Sequence, residues 1–157
     1  MKSAARGATA ALLSLRCRAT PEHLPALLRQ VDDALREAGA RGDAAHDLRL
    51  AIEEACVNVM RHAWKGFDEP GELSLEIQST RFGAEPALRV ELTDHGNAFN
   101  PLAAATPDLG MPAEERPIGG LGIHLIRSLT DEQGYSRDAA HGNRLVLLKR
   151  IAARPAA

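Results

Sequence analysis

Glu54 and Asn58 stand four residues apart in the segment Glu53-Glu54-Ala55-Cys56-Val57-Asn58, a spacing that puts two side chains on one face of a helix. A carboxamide offers a hard oxygen to a magnesium ion, and a carboxylate beside it can take a proton. The pair therefore suits magnesium–nucleotide chemistry. Two glycine-bearing segments follow it. Asp94-His95-Gly96-Asn97-Ala98 comes directly after an alternating apolar run. An aspartate at a strand end can accept a hydrogen bond from an exocyclic amine such as that of adenine, and Gly96 lets the backbone turn and a ligand come close. Gly119-Gly120-Leu121-Gly122 opens a helical pattern, where exposed backbone N–H groups and the helix dipole favour phosphate. Taken singly, each has an ordinary alternative. Glu54 and Asn58 also fit a solvated stripe, Asp-x-Gly is common in turns, and the glycines form neither a Walker A loop nor a GxGxxG after a strand.

The elements that must position these residues can be read from periodicity. Ala11, Leu13, Leu15 and Cys17 alternate with Leu12, Ser14, Arg16 and Arg18, which predicts a first strand. Thr20-Pro21 reads as an N-cap with proline in the first helical position. Leu24, Leu27, Leu28, Val31 and Leu35 then recur at helical spacing, so a helix is expected over 21–38, stopped at Gly39. A second helix is expected over about 44–64 with Asp43 as its N-cap. Leu48, Ile52, Ala55, Cys56, Val59 and Ala63 form its core face, and Glu54, Asn58, Arg61 and His62 gather on another.

Strands are expected over 72–79 and 88–94, with a hairpin-like turn at 82–86. From 96 to 117 periodicity dissolves around Pro101, Pro107, Pro112 and Pro117, the mark of a long functional loop or lid. A helix over 119–130 and two closing strands, 132–137 and 144–151, complete the order, with their turn at His141-Gly142-Asn143. Helices against one face of a mixed sheet make an α/β sandwich.

Composition bounds the function. The chain has 157 residues, enough for a single domain that buries a core without disulfides or structural metal. Its formal charge of −2 and aromatic content of 3% give neither a basic footprint nor a stacking platform for nucleic acid. Cys17 and Cys56 lack a CxxC partner and are expected to pack as reduced thiols. No apolar run reaches the roughly 20 residues of a membrane span, and Ser14 and Arg16 break the short N-terminal run that loosely looks like a signal peptide. A cytoplasmic protein is expected.

Glu54-x-x-x-Asn58, then Asp94-x-Gly96-x-Ala98-Phe99, then Gly119-Gly120-Leu121-Gly122, in this order, resemble the asparagine box and the two glycine boxes of the GHKL ATPases. That superfamily includes gyrase, histidine kinases and MutL. Size and spacing are most similar to its stand-alone branch, the anti-sigma-factor serine kinases of bacterial partner-switching systems. Phe99-Asn100-Pro101 and the closing Gly142-Asn143-Arg144-Leu145 add to the similarity, which covers roughly residues 8–151. The resemblance implies a Bergerat-type two-layer sandwich: a mixed, mostly antiparallel sheet, helices on one face and an ATP lid over about 97–118.

It also implies roles. Asp94 binds the adenine amine, with Gly96, Ala98 and Phe99 shaping that pocket. Asn58 holds the magnesium of ATP. Gly119, Gly120, Leu121 and Gly122 belong to the phosphate site, and Glu54 is the base. Glu53 falls off the Asn58 face. The family often has a threonine near adenine in its last strand, where this chain has Asn143. His62 could face phosphate or solvent, and His95, His124 and Arg116 carry no assignment. The implied substrate is a serine on a STAS-domain antagonist. The implied second partner is a sigma factor or an analogous regulator, with a homodimer formed through the sheet. The chain leaves no room for a histidine-bearing hairpin or a transducer domain, so it is expected to act on another protein. A non-catalytic ATP-binding sequestration module, or a GHKL ATPase signalling through a partner protein, is the alternative.

Overall fold

The structure, a computed structural model, describes residues 11–103, 110, 112 and 120–151. Strand β1 (Ala11–Arg18) leads through a 3-10 turn (Pro21–His23) into helix α1 (Leu24–Glu37). Helix α2 (Gly42–Asn58) follows and continues as a π-helical turn over Val59–Ala63. The hairpin β2 (Glu72–Phe82) and β3 (Glu85–Asp94) comes next, then α3 (Gly120–Leu129), β4 (Glu132–Asp138) and β5 (Gly142–Arg150). The five strands form one sheet in the order β1-β2-β3-β5-β4. The expected two-layer sandwich is present, and every described pairing is antiparallel rather than mixed.

Period-two alternation decides which side chains meet the helices. Facing residues line up in transverse rows across the sheet. One row runs Leu13, Ile77, Val90, Leu147, and the next runs Leu15, Leu75, Leu92, Leu145, Tyr135. Leu75, Ile77, Val90 and Leu147 are essentially inaccessible to solvent. They meet Leu27, Val31, Leu48, Ile52 and Cys56 of α1 and α2 in a single core cluster. Each such aliphatic side chain contributes roughly 1.5–3 kcal/mol of burial free energy.

Both cysteines are free, and burial pushes the Cys56 thiol up to about 12. Among the described residues no helix is long and apolar enough to cross a membrane.

Three local expectations are corrected. Asp43 does not cap α2: the helix begins at Gly42 after Arg41, and Asp43 lies in the first turn, where its charge favours the helix dipole. The α-helix also stops at Asn58 instead of running to 64, because the following turn is wound as a π-helix. Finally, Gly142 and Asn143 are not turn residues. They open β5, and Gly142 holds φ +66 as it passes the backbone carbonyl of Asp94.

Candidate nucleotide site

The third transverse row begins in the core and ends in the site. Cys17 and Leu73 are its apolar half; Asp94, Asn143 and Arg137 are its polar half. Asp94 and Asn143 are both 5% exposed, so their polar groups need protein partners. Asp94 Oδ1 accepts from the Gly96 backbone N–H at 2.9 Å and from Asn143 Nδ2 at 3.0 Å. Asn143 Nδ2 also donates to the Asn97 carbonyl at 2.7 Å. Its Oδ1 accepts from the Tyr135 hydroxyl at 2.5 Å and from the Phe99 N–H at 3.4 Å.

The loop after β3 is bolted to the end of α2. The Asn97 N–H donates to the Ala63 carbonyl at 2.6 Å, and its side-chain amide donates to the Lys65 carbonyl at 2.8 Å. The π turn presents the Ala63 carbonyl for this contact. Gly96 passes so close to that carbonyl that a Cβ on it would overlap the oxygen. Arg137 adds a bond from Nη1 to the Gly96 carbonyl at 3.1 Å.

A pocket opens between this loop, the sheet and α2. Asn58 and Val59 line one wall, Asp94, Asn143 and Tyr135 the other, and Phe99 lies at its side. Asn58 and Asp94, distant in sequence, are thus brought to one cavity. Asn58 is 8% exposed, yet its Nδ2 is buried without a hydrogen-bond partner. Exchanging the two ends of the carboxamide would leave the oxygen unpartnered in the same place. Such an orphan costs about 1–3 kcal/mol. A hard-oxygen donor on the wall of a pocket, left unengaged by the protein, fits a magnesium ion that needs only one protein ligand beside phosphate oxygens.

Glu54 lies one turn before Asn58, partly exposed and off the pocket wall. Burial, and then the neighbouring Glu53, push its carboxyl up from the ordinary value, with Arg61 opposing. Glu53 is engaged elsewhere. Arg49 bridges it at 3.4 Å and Asp32 of α1 at 2.6 Å, whereas Glu54 forms no salt bridge among the described residues.

His62 stacks on Phe99 with ring centroids 5.3 Å apart. Burial, and then Lys65 and Arg61, lower its pKa. Ala98 and His95 are exposed and off the pocket wall, and the His124 carbonyl accepts from Ser128 Oγ at 2.9 Å. Gly120, Leu121 and Gly122 form the first turn of α3. Gly119, Arg116 and most of the expected lid lie outside the described residues.

Three site residues escaped the sequence reading of roles: Asn143, Tyr135 and Asn97. The parity of β4 and β5 would have turned Tyr135 and Asn143 toward Asp94, had the β5 boundary been placed at Gly142.

A recess between a helix-borne asparagine and a strand-end aspartate, on a one-sided antiparallel sandwich, is the architecture of a class of ATPases. The family described as the histidine kinase-like ATPase domain matches residues 17–149, and the chain belongs to that family. Its curated relatives narrow the branch. It is 32% identical over 124 residues to the serine-protein kinase RsbW of Listeria monocytogenes, covering 76% of each chain. It is 31% identical over 126 residues to the serine-protein kinase RsbW of Bacillus subtilis, covering 76% of this chain and 74% of that one.

Proposed function

We propose that the protein is an ATP-dependent serine-protein kinase that phosphorylates a STAS-domain antagonist and, in its other state, holds a sigma factor or analogous regulator. The observation that carries this reading is the convergence of Asp94 and Asn58 on one pocket, with Glu54 one helical turn away. The names of the relatives support the activity.

In this reading Asp94 accepts the adenine amine and Phe99 flanks the ring. Asn58 gives its amide oxygen to the magnesium ion that neutralises the phosphates. The backbone N–H groups of 120–122 and the dipole of α3 receive phosphate oxygens. The partner's serine oxygen forms a bond to the γ-phosphorus as the bond to the ADP oxygen breaks, and the serine proton passes to Glu54. Positioning and charge neutralisation supply most of the rate in such transfers, so one base and one metal ligand suffice. A cytoplasmic homodimer joined through the helix-free face of the sheet completes the proposal.

Glu54→Gln is the deciding variant. With Mg-ATP and the STAS protein encoded nearby, wild-type protein should transfer phosphate, read by mass spectrometry. The variant should lose at least about 100-fold in rate while its ATP affinity by calorimetry stays within about 2-fold. The base must be ionised, and burial followed by the neighbouring Glu53 raises its pKa, so the wild-type rate should fall on acidification at a higher pH than an unperturbed glutamate would give. Absence of transfer by folded, ATP-bound wild type would instead mark a sequestration module that does not turn over.

A further inference from the structure

Asn143 is the most completely engaged side chain of the pocket. A carboxamide has two donor hydrogens and two acceptor lone pairs. Here Nδ2 serves Asp94 Oδ1 at 3.0 Å and the Asn97 carbonyl at 2.7 Å, and Oδ1 receives Tyr135 at 2.5 Å and the Phe99 N–H at 3.4 Å. The orientation is forced. Reversed, the amide would set its carbonyl against a carboxylate and a second carbonyl, and its nitrogen against the Phe99 N–H.

The consequence falls on Asp94. Both of its side-chain bonds among the described residues, from Gly96 and Asn143, end on Oδ1. Two donors on one oxygen fix the carboxylate plane and leave Oδ2 as the acceptor turned to a ligand. Adenine offers an exocyclic N–H donor to such an oxygen. Guanine presents a carbonyl at the same ring position, and lone pair would face lone pair. A carboxylate free to swing could evade that clash; one pinned by Asn143 cannot.

We propose that Asn143, held by Tyr135, is the positioning residue that sets adenine-over-guanine selectivity by locking the Asp94 carboxylate. This rests on the reading that Asp94 receives the purine amine. Sites that hydrogen-bond one group reject its mismatch strongly, because buried polar atoms are then left unpaired.

The test is calorimetric titration of Mg-ATP and Mg-GTP into wild type, Asp94→Asn, Asn143→Leu, Asn143→Thr and Tyr135→Phe, each checked for folding by circular dichroism. Wild type should favour ATP by at least about 100-fold, and Asp94→Asn should abolish that preference. If either fails, the adenine reading falls and this inference falls with it. Asn143→Leu should weaken ATP roughly 30-fold but GTP less than about 3-fold, collapsing the ratio. Asn143→Thr keeps a donor for Asp94 and should recover ATP affinity to within about 5-fold of wild type. Tyr135→Phe, which leaves the fold's packing intact, should lower the ratio about 5-fold and decides the matter if Asn143→Leu does not fold. A merely structural Asn143 would weaken both nucleotides alike. An unchanged ATP:GTP ratio in folded Asn143→Leu or Tyr135→Phe overturns the proposal, provided Asp94→Asn has lost the preference.

Discussion

Two buried asparagines line the same pocket in opposite circumstances. Asn143, at the end of a central strand, has every hydrogen-bonding position of its amide filled by Asp94, Asn97, Phe99 and Tyr135. Asn58, on the helix across the cavity, has a buried Nδ2 with no partner. A saturated amide rigidifies its surroundings and fixes a shape before any ligand arrives. An orphaned amide keeps a cost in the free protein that a ligand can relieve. The sheet wall is therefore finished by the fold, and the helix wall awaits something that the protein does not supply. The division suits a nucleotide: a base needs a fixed hydrogen-bonding edge, whereas a metal brings its own geometry and asks only for an available oxygen.

The largest effect should come from breaking the finished wall at its backbone. Gly142 holds φ +66, and an added Cβ would run into the Asp94 backbone carbonyl. Gly142→Ala therefore combines left-handed strain with a collision against backbone that cannot swing aside. Urea unfolding should show a loss of about 3 kcal/mol or more. A loss under about 1 kcal/mol would mean that β5 can lift away from Asp94 at little cost, and that the sheet wall is less fixed than its hydrogen bonds suggest.

Asn58→Leu should split stability from binding. Removing a buried amide with no partner and filling its space with carbon should raise unfolding free energy by about 1 kcal/mol. Magnesium-dependent ATP affinity should fall roughly 100-fold, about 2.7 kcal/mol. The two asparagines thus predict opposite signs for one kind of substitution, since Asn143→Leu strands a carboxylate oxygen, a hydroxyl and two backbone groups. A destabilised Asn58→Leu would show that the helix wall is as structurally committed as the sheet wall.

The role of Asn58 was legible in the sequence and that of Asn143 was not, for a physical reason. Asn58 sits in an amphipathic helix whose apolar stripe, Leu48 through Cys56, fixes which face is buried. Glu54 stands out in the same way, and Asp94 closes an unmistakable alternating run. Asn143 follows a glycine that reads as a turn. Only pairing with β3, where Gly142 clears the Asp94 carbonyl, makes that glycine the first residue of a strand and aims Asn143 inward. Tyr135 depends on the same register. The π turn over Val59–Ala63 leaves no trace in composition, because it adds one residue to a turn without changing the residue types that turn accepts. Yet that turn carries the Ala63 carbonyl that anchors Asn97, so the joint between the two walls was legible only in three dimensions.

Strands β3 and β5 are braced on both faces, and the outer brace should be the weaker. Inside, Asn143 joins Asp94 through neutral amide chemistry. Outside, one residue along β5, Arg144 grips Glu91 with Nε at 2.7 Å from Oε1 and Nη2 at 3.0 Å from Oε2, while Arg89 adds a contact at 2.8 Å. Arg144's hydrogen bond is the main cause that holds the Glu91 carboxyl below its ordinary pKa, with Arg89 assisting against desolvation. A carboxylate lowered in the folded state stabilises it above the unfolded pKa, and that stabilisation is lost as pH falls through the folded value. Glu91→Gln should cost about 1 kcal/mol at neutral pH. It should also flatten the decline of stability on acidification between roughly pH 5 and pH 3, and high salt should narrow the gap from wild type. Nucleotide affinity should not change, because the inner brace alone fixes Asp94. A variant whose acid decline matches wild type would place the pH dependence in other carboxylates, such as Asp131, where burial raises the carboxyl but the combined hydrogen bonds and charge of Arg150 hold it below its ordinary pKa. Loss of ATP binding in Glu91→Gln would show instead that the two faces of β3 and β5 act as one brace.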